Sequence, residues 1–357
     1  MTANDAAPTD LPYAFGGPAG TGRLRVEPED FIVRELPICE PDGAGEHVWL
    51  WVRKRNANTD WVARQLARFA GVTPRDVSYA GMKDRRAVTE QWFSLQLPGK
   101  ADPDWTAARI EGVEILRAER HSRKLKRGAL RGNAFEIRIH ALSGDHAVLE
   151  TRLRAIAAHG MPNYFGTQRF GHDGGNLAAA AAMLRGEGPR LDRHVRGLYL
   201  SAARSFLFNQ VLAARVHDGS WERALPGDAL QLDGRRAWFI AAAADTDIET
   251  RVRELDVHPT GPLWGRGVPA TQGAVRALEG ACLAPFDDWC AGLERAGLEQ
   301  DRRALRVRVR ELDWAWNGAD ELTLRFSLPA GSYATVLLRE VIEGMDGDDA
   351  NATEDLA

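Results

Sequence analysis

At 357 residues the chain is long for one hydrophobic core and predicts two domains. Its apolar share of 44% is that of a soluble globular protein, no run approaches the roughly 20 apolar residues of a membrane span, and residues 1–8 are polar and acidic, unlike a signal peptide. Cys39, Cys282 and Cys290 are too few and too scattered for a disulfide framework or a zinc site, and a net charge of −4 argues against indiscriminate coating of nucleic acid. A cytoplasmic, reduced, metal-free protein is expected.

In chain order, residues 23–33 and 47–55 alternate apolar and polar side chains like half-buried strands. Residues 59–70 read as an amphipathic helix: Asn58 or Thr59 caps it, Trp61, Val62, Leu66 and Phe69 form its stripe, and Gly71 ends it. Strands follow at 77–79 and 91–97, then at 113–116 and 135–140 on either side of a basic block. A helix is predicted over 148–159. Beyond Gly160 the texture changes, with an Ala-rich stretch at 176–185, a long helix at 201–217 and a loop-rich region at 221–285. Strand character returns at 303–316 and 321–328, and a helix over 332–342 closes the pattern. The two ends look alike and the middle looks inserted, so an α/β catalytic domain with a mainly helical insertion is predicted.

The most informative stretch runs from Ala80 to Phe93. It sets Asp84 among Lys83, Arg85 and Arg86, between two apolar strands. Neighbouring positive charge favours the ionised carboxylate, the state a nucleophile or base requires. Between Arg117 and Arg138 stand eight Lys or Arg against two Glu, a localised polyanion site in an acidic chain. The chain beyond Arg339 carries acids and no base. No histidine pair has the His-x-x-x-His spacing, the Gly-rich run Gly171–Gly175 lacks the Lys-Ser/Thr of a phosphate loop, and no Gly-x-Ser-x-Gly elbow is present. Aromatics, an amide and cations cluster at Phe31, at Asn133 and Phe135, across 163–171, and at Tyr333; these types suit an unstacked base and its phosphates.

These motifs resemble, in order, those of the TruD family of tRNA pseudouridine synthases. The matching segments are Pro28-Glu29-Asp30-Phe31, Gly81-Met82-Lys83-Asp84-Arg85 with 87–92, Arg123-Lys124-Leu125 through Gly132-Asn133-Ala134-Phe135, and Asn163-Tyr164-Phe165-Gly166 with Gln168-Arg169-Phe170-Gly171. Residues 201–205, 208–210 and Leu328-Pro329-Ala330-Gly331-Ser332 complete the set. The resemblance implies a pseudouridine-synthase catalytic domain of class α/β (α+β), with a mixed β-sheet and flanking helices. It would occupy 1–158 and 308–357, interrupted by a TRUD insertion over 159–307.

The implied reaction isomerises uridine to pseudouridine in tRNA, at uridine 13 of the D-arm, without metal or cofactor. By resemblance Asp84 is the catalytic carboxylate; addition to the nucleotide and removal of the C2′ proton both stay open. Arg25, where the family often has Lys, would pair with Asp84. Phe31 and Tyr333 would hold the flipped uracil, Tyr333 by stacking, and Asn133 would bond its edge. Phe135 would brace Asn133 or serve as core. Lys83 and Arg85 would meet phosphates or shape the loop, while Arg123, Lys124, Lys126, Arg127 and Arg131 would dock the RNA. Residues 163–171 read as a hinge or an RNA contact. tRNA is the partner implied; no membrane and no protein partner are, and a monomer is expected. A non-catalytic tRNA binder and a base-excising hydrolase compete with this reading. The first gains nothing from a carboxylate facing a polyanion, and the second usually needs a second acid, none of which is evident beside Asp84.

Overall fold

A computed structural model describes residues 11–241 and 245–346, within which the chain forms two compact units. The acidic tail and the polar N-terminus read from the sequence lie largely or wholly outside the described residues. One unit comprises Gly20–Asp145, Arg310–Gly331 and the described segment from Glu343. The other holds the described residues up to Ala19, His146–Val309 and Ser332–Ile342. It takes in the whole of 159–307 and flanking segments on both sides. Helix Ala334–Val341 packs on helix His146–His159, and the buried carboxylate of Glu340 accepts the N–H groups of Ala14 and Phe15 at 3.1 and 3.3 Å. Both flanks are thereby tied into this unit.

The first unit is built on a mixed sheet of ten strands among the described residues. Its central path runs Arg310–Trp316, Leu322–Pro329, Leu130–Gly144, Phe31–Pro37, Val88–Gln96, His47–Arg55 and Val113–His121. Neighbours on this path are antiparallel except Phe31–Pro37 and Val88–Gln96, which run parallel. The short strand Val77–Tyr79 pairs with Val88–Gln96 and leads into the loop that carries Asp84. Period-two alternation divides the two faces. Leu50, Val52, Phe93 and Leu95 face Val62 and Leu66 of helix Thr59–Phe69 in a buried core. On the opposite face Arg53, Glu90, Arg34, Glu136 and Arg325 form a chain of charge pairs across five strands, 3.0 to 4.0 Å apart. The pairs to Glu136 are exposed and worth at most about 1 kcal/mol each, whereas Glu90 is buried.

Expected strand 23–33 is broken in the structure. A single turn, Pro28–Asp30, separates strand Gly20–Leu24 from strand Phe31–Pro37. Asp30 closes that turn by accepting the Glu27 N–H at 2.8 Å, and its other oxygen meets His140 Nε2 at 2.8 Å, so it is buried for structural reasons. Strand Leu130–Gly144 is longer than predicted because its charges alternate outward while Phe135, Ile137 and Ile139 point inward.

Gly132 lies where this strand crosses Leu322–Pro329. A Cβ there would sit 2.1 Å from the Leu328 carbonyl oxygen. Gly132→Ala is therefore expected to cost more than the about 1–3 kcal/mol of ordinary overpacking, because main chain cannot step aside as a side chain can. Thermal denaturation checks this; an unchanged midpoint would refute the close approach.

The second unit centres on helix Arg193–His217, whose Phe206, Leu207, Phe208, Val211 and Leu212 are buried against neighbouring helices. The region 221–285 is not loop-rich. It contributes strands Ala229–Leu232, Trp238–Ile240 and Val257–Leu263 to a four-stranded sheet completed by Asp301–Ala304. Pro259 and Pro262 obscured the third of these, since proline cannot donate to a ladder; Pro259 still accepts the Leu305 N–H at 2.7 Å. A buried Arg215–Asp228 fork, 2.9 and 3.0 Å, ties the long helix to this sheet.

Candidate active site

Strand registers set Lys54, Thr89 and Gln91, Val33 and Glu35, Asn133 and Phe135, and Phe326 and Leu328 on one face of the large sheet, one strand after another. Toward one end this face is polar although it is buried: Lys54, Thr89 and Gln91 are solvent-inaccessible, and Glu35 is nearly so. Buried polar groups usually find partners; the Thr89 hydroxyl has none among the described residues, while Lys54, Gln91 and Glu35 find theirs largely on the loop between Tyr79 and Val88.

That loop is held through its main chain. Gln91 Nε2 donates to the Gly81 carbonyl at 2.9 Å, and the Lys83 N–H donates to Thr59 Oγ1 at 3.1 Å. Lys54 Nζ donates to the Asp84 carbonyl at 2.7 Å, to that of Lys83 at 3.3 Å and to that of Ala57 at 2.7 Å. The Ala87 N–H closes the tip onto the Arg85 carbonyl at 2.8 Å. With its backbone fixed on both sides, Asp84 presents an exposed side chain, flanked by Arg85, Arg86 and an exposed Met82.

Lys83 turns inward. Its ammonium meets Glu35 Oε2 at 2.9 Å, with the two side chains 4% and 1% exposed. Burial pushes the Glu35 carboxyl up from its ordinary range, and the Lys83 charge beside it pulls part of the way back. Of the two roles the sequence left open for Lys83, shaping the loop fits this placement, and contact with phosphate does not. Arg85 stays at the surface.

Arg25 takes a left-handed backbone conformation, φ 51°, which is costly for a residue with a Cβ. Its guanidinium carbon lies 4.3 Å from the centre of the Phe31 ring. Phe31 meets Phe135 edge-on at 6.3 Å, and Phe135 stacks on Phe326 at 5.2 Å. Phe31 is 2% exposed, so it supports Arg25 from inside and does not offer an open stacking face. Phe135 is core in the same row. Asn133 is half-buried, and its Oδ1 is shielded with no hydrogen-bond partner among the described residues. An orphaned acceptor of this kind is suited to a ligand donor.

The basic block is fastened to the same loop. Leu125 inserts beside Trp49, Ala80 and Trp92, and Arg123, Lys124, Lys126, Arg127 and Arg131 remain exposed around it. Ser78 Oγ donates to the Leu125 carbonyl at 2.8 Å, and the Gly128 N–H donates to the Ala80 carbonyl at 2.7 Å. Arg127 lies 3.6 Å over the Tyr79 ring, whose hydroxyl donates to Asp60.

Tyr333 belongs to the other unit. It precedes helix Ala334–Val341 and meets the Phe165 ring edge-on at 6.3 Å. A Cβ on Gly166 would come within 3.1 Å of the Tyr333 ring. Asn209 clamps Phe165 through both its N–H and its carbonyl, at 2.9 and 3.0 Å. Phe165 and Gly166, the centre of the segment 163–171, are thereby held against Tyr333.

The positioning residues Lys54 and Glu35 were not singled out from the sequence, and Thr59 and Gln91 were read only as a helix cap and as part of a motif. For Lys54 a signal existed: alternation along His47–Arg55 puts it on the inward face with Leu50 and Val52, where a charge is out of place.

The family profile described as tRNA pseudouridine synthase D (TruD) matches residues 11–188 and 178–341. A protein of Methylococcus capsulatus named tRNA pseudouridine synthase D is 53% identical over 334 residues, covering 94% of each chain. One of the same name from Nitrosococcus oceani is 50% identical over 345 residues, covering 96% of each. A crystal structure from Methanosarcina mazei, provisionally assigned as tRNA pseudouridine synthase D, superposes with a TM-score of 0.71 at 21% identity; it covers 93% of this chain and 95% of its own, a likeness of fold.

Proposed function

Since the chain belongs to the TruD family of tRNA pseudouridine synthases, we propose that it isomerises uridine 13 of tRNA to pseudouridine, with Asp84 as the catalytic carboxylate. The observation that carries this reading is an exposed carboxylate on a loop whose main chain is tied from beneath by Lys54, Thr59 and Gln91. A surface turn of no function has no need of a buried ammonium under it. In the reaction the N1–C1′ bond breaks, the base turns, C5 bonds to C1′, the C5 proton leaves and N1 takes one up. Asp84 either adds to the nucleotide or removes the C2′ proton, and both roles call for a fixed, ionised carboxylate.

Arg25 is the cation proposed to orient Asp84, with its guanidinium supported by Phe31. The shielded Oδ1 of Asn133 is the proposed acceptor for a uracil N–H, with Phe135 bracing its strand. Tyr333 contributes a ring for stacking, worth about 1–3 kcal/mol per base. The exposed Arg123, Lys124, Lys126, Arg127 and Arg131, with Arg85, supply the phosphate-facing cations. Residues 159–307 are read as the insertion within the catalytic fold, and the cytoplasm, where tRNA is modified, as the place of action.

Incubation with an unmodified tRNA transcript bearing U13 tests the reading. Pseudouridine is expected at that position, with none formed in the same transcript carrying C13. Release of free uracil would instead identify a base-excising hydrolase. Conversion at another uridine would overturn the position while keeping the reaction.

A further inference from the structure

Among the described residues of the unit that carries Asp84, Met82 is the most exposed large apolar side chain, at 60%. It stands on the same loop, two residues before the carboxylate. The Gly81 carbonyl on one side of it accepts from Gln91 Nε2 at 2.9 Å, and the Lys83 N–H on the other donates to Thr59 Oγ1 at 3.1 Å. Lys83, between the two, turns inward to Glu35, while Met82 and Asp84 both face solvent.

A single exposed methionine is ordinary on most surfaces. Here its surroundings set it apart. The other exposed side chains of the loop are Asp84, Arg85 and Arg86. The segment fastened to the loop through Gly128 and Ala80 exposes Arg123, Lys124, Lys126 and Arg127. Those cations suit phosphates, but a thioether finds no partner in an anion. What an RNA strand offers such a side chain is the face of a base. Methionine is polarisable and unbranched, its sulfur is drawn to aromatic rings, and it is among the apolar side chains that wedge between bases. Two residues of chain span at most about 7 Å, roughly two steps of a stack at about 3.4 Å each. Met82 therefore stands within reach of the bases next to the nucleotide on which Asp84 acts.

A base held in a stack has to be drawn out before an enzyme group reaches it, and the gap left behind favours its return. We propose that Met82 is a wedge: it enters the RNA stack where the target uridine leaves and keeps the extruded nucleotide available to Asp84. This rests on the reading of the chain as a tRNA pseudouridine synthase and adds to it a residue that positions the substrate without taking part in bond making. Main chain pinned on both sides keeps the wedge from being pushed back.

The test compares wild type, Met82→Ala and Met82→Leu in single-turnover conversion at saturating protein. One substrate is the unmodified U13 transcript. The other is the same transcript with the nucleotides around U13 changed, so that U13 is unpaired and poorly stacked. On the first, Met82→Ala is expected to be slower by about 2- to 10-fold, the range of a sulfur–ring contact. On the second, the deficit should shrink to within about twofold, because little stacking is left to replace. Met82→Leu keeps the apolar bulk and should recover most of the rate. Melting temperatures should not move, since the side chain is exposed. Met82→Ala as fast as wild type on the U13 transcript overturns the wedge and leaves the synthase reading standing. An equal deficit on both transcripts overturns it too, since the residue then acts through the loop and not on the stack. So does a Met82→Leu variant as slow as Met82→Ala. A wild type that converts neither transcript removes the synthase reading, and the wedge with it.

Discussion

Asp84→Asn is expected to abolish pseudouridine formation and to leave both the fold and tRNA binding in place. Loss of a positioned base alone removes about 10²–10⁴ in rate, and loss of a nucleophile removes more. The protein should stay folded because the loop is held by carbonyl and N–H groups, not by the Asp84 carboxylate. Asn has the same shape, so stability should change by no more than about 0.5 kcal/mol. Binding should be equal or tighter, since one negative charge no longer faces a polyanion. Asp84→Glu makes a sharper companion. The pinned backbone cannot retreat to make room for the extra methylene, and a misplacement of about 1 Å costs on the order of 10² in rate. Single-turnover conversion of the U13 transcript measures both variants, and a Glu variant as fast as wild type would show that the loop yields.

The second large effect concerns Glu35 and Lys83. Glu35→Ala leaves the Lys83 ammonium buried without its carboxylate, 4% exposed. Removing one member of a buried pair costs about 3–5 kcal/mol, a large fraction of the stability of an ordinary domain. Replacing both, Glu35→Leu with Lys83→Met, should recover most of that loss, because well-packed apolar side chains often match a buried pair. Activity should not recover in parallel. The pair fixes the residue next to Asp84 in the chain, and a flexible methionine does not restore that restraint. Urea denaturation of both single variants and the double variant, with turnover measured at a temperature where all are folded, separates the two roles. A double variant no more stable than Glu35→Ala would refute the pairing as the source of the cost.

Much of this arrangement was legible in the amino-acid sequence, and what was not has physical reasons. Helix Thr59–Phe69 and strand His47–Arg55 emerged nearly to the residue, since each has one buried face and a clear period. The turn around Asp84 was visible as a dense change of charge between two apolar runs. The direction of Lys83 was not, because sequence spacing does not say whether a lysine beside a loop tip finds solvent or a glutamate 48 positions earlier. Glu35 was invisible for the same reason: it meets Lys83 on the loop and the N–H of Trp92 on the strand Val88–Gln96, which pairs in parallel across a long connection. The burial of Phe31, 2% exposed beneath Arg25, was not visible in the sequence either. An aromatic next to a turn reads alike whether buried or exposed. Strand Val257–Leu263 was hidden by prolines that usually mark loops; the Pro259 carbonyl still accepts.

The hydrogen bonds from Gly128 to Ala80 and from Ser78 to Leu125 join the cationic segment and the Asp84 loop into one stiff piece. A piece tied at so many main-chain atoms cannot mould itself to its substrate, so the conformational work of catalysis falls on the RNA. Drawing a nucleotide out of its stack costs a few kcal/mol, least where pairing is already weak. Selection among RNAs then becomes a matter of the substrate's own pliancy: a transcript loosened around the target nucleotide should be modified faster than a tightly folded one of the same sequence.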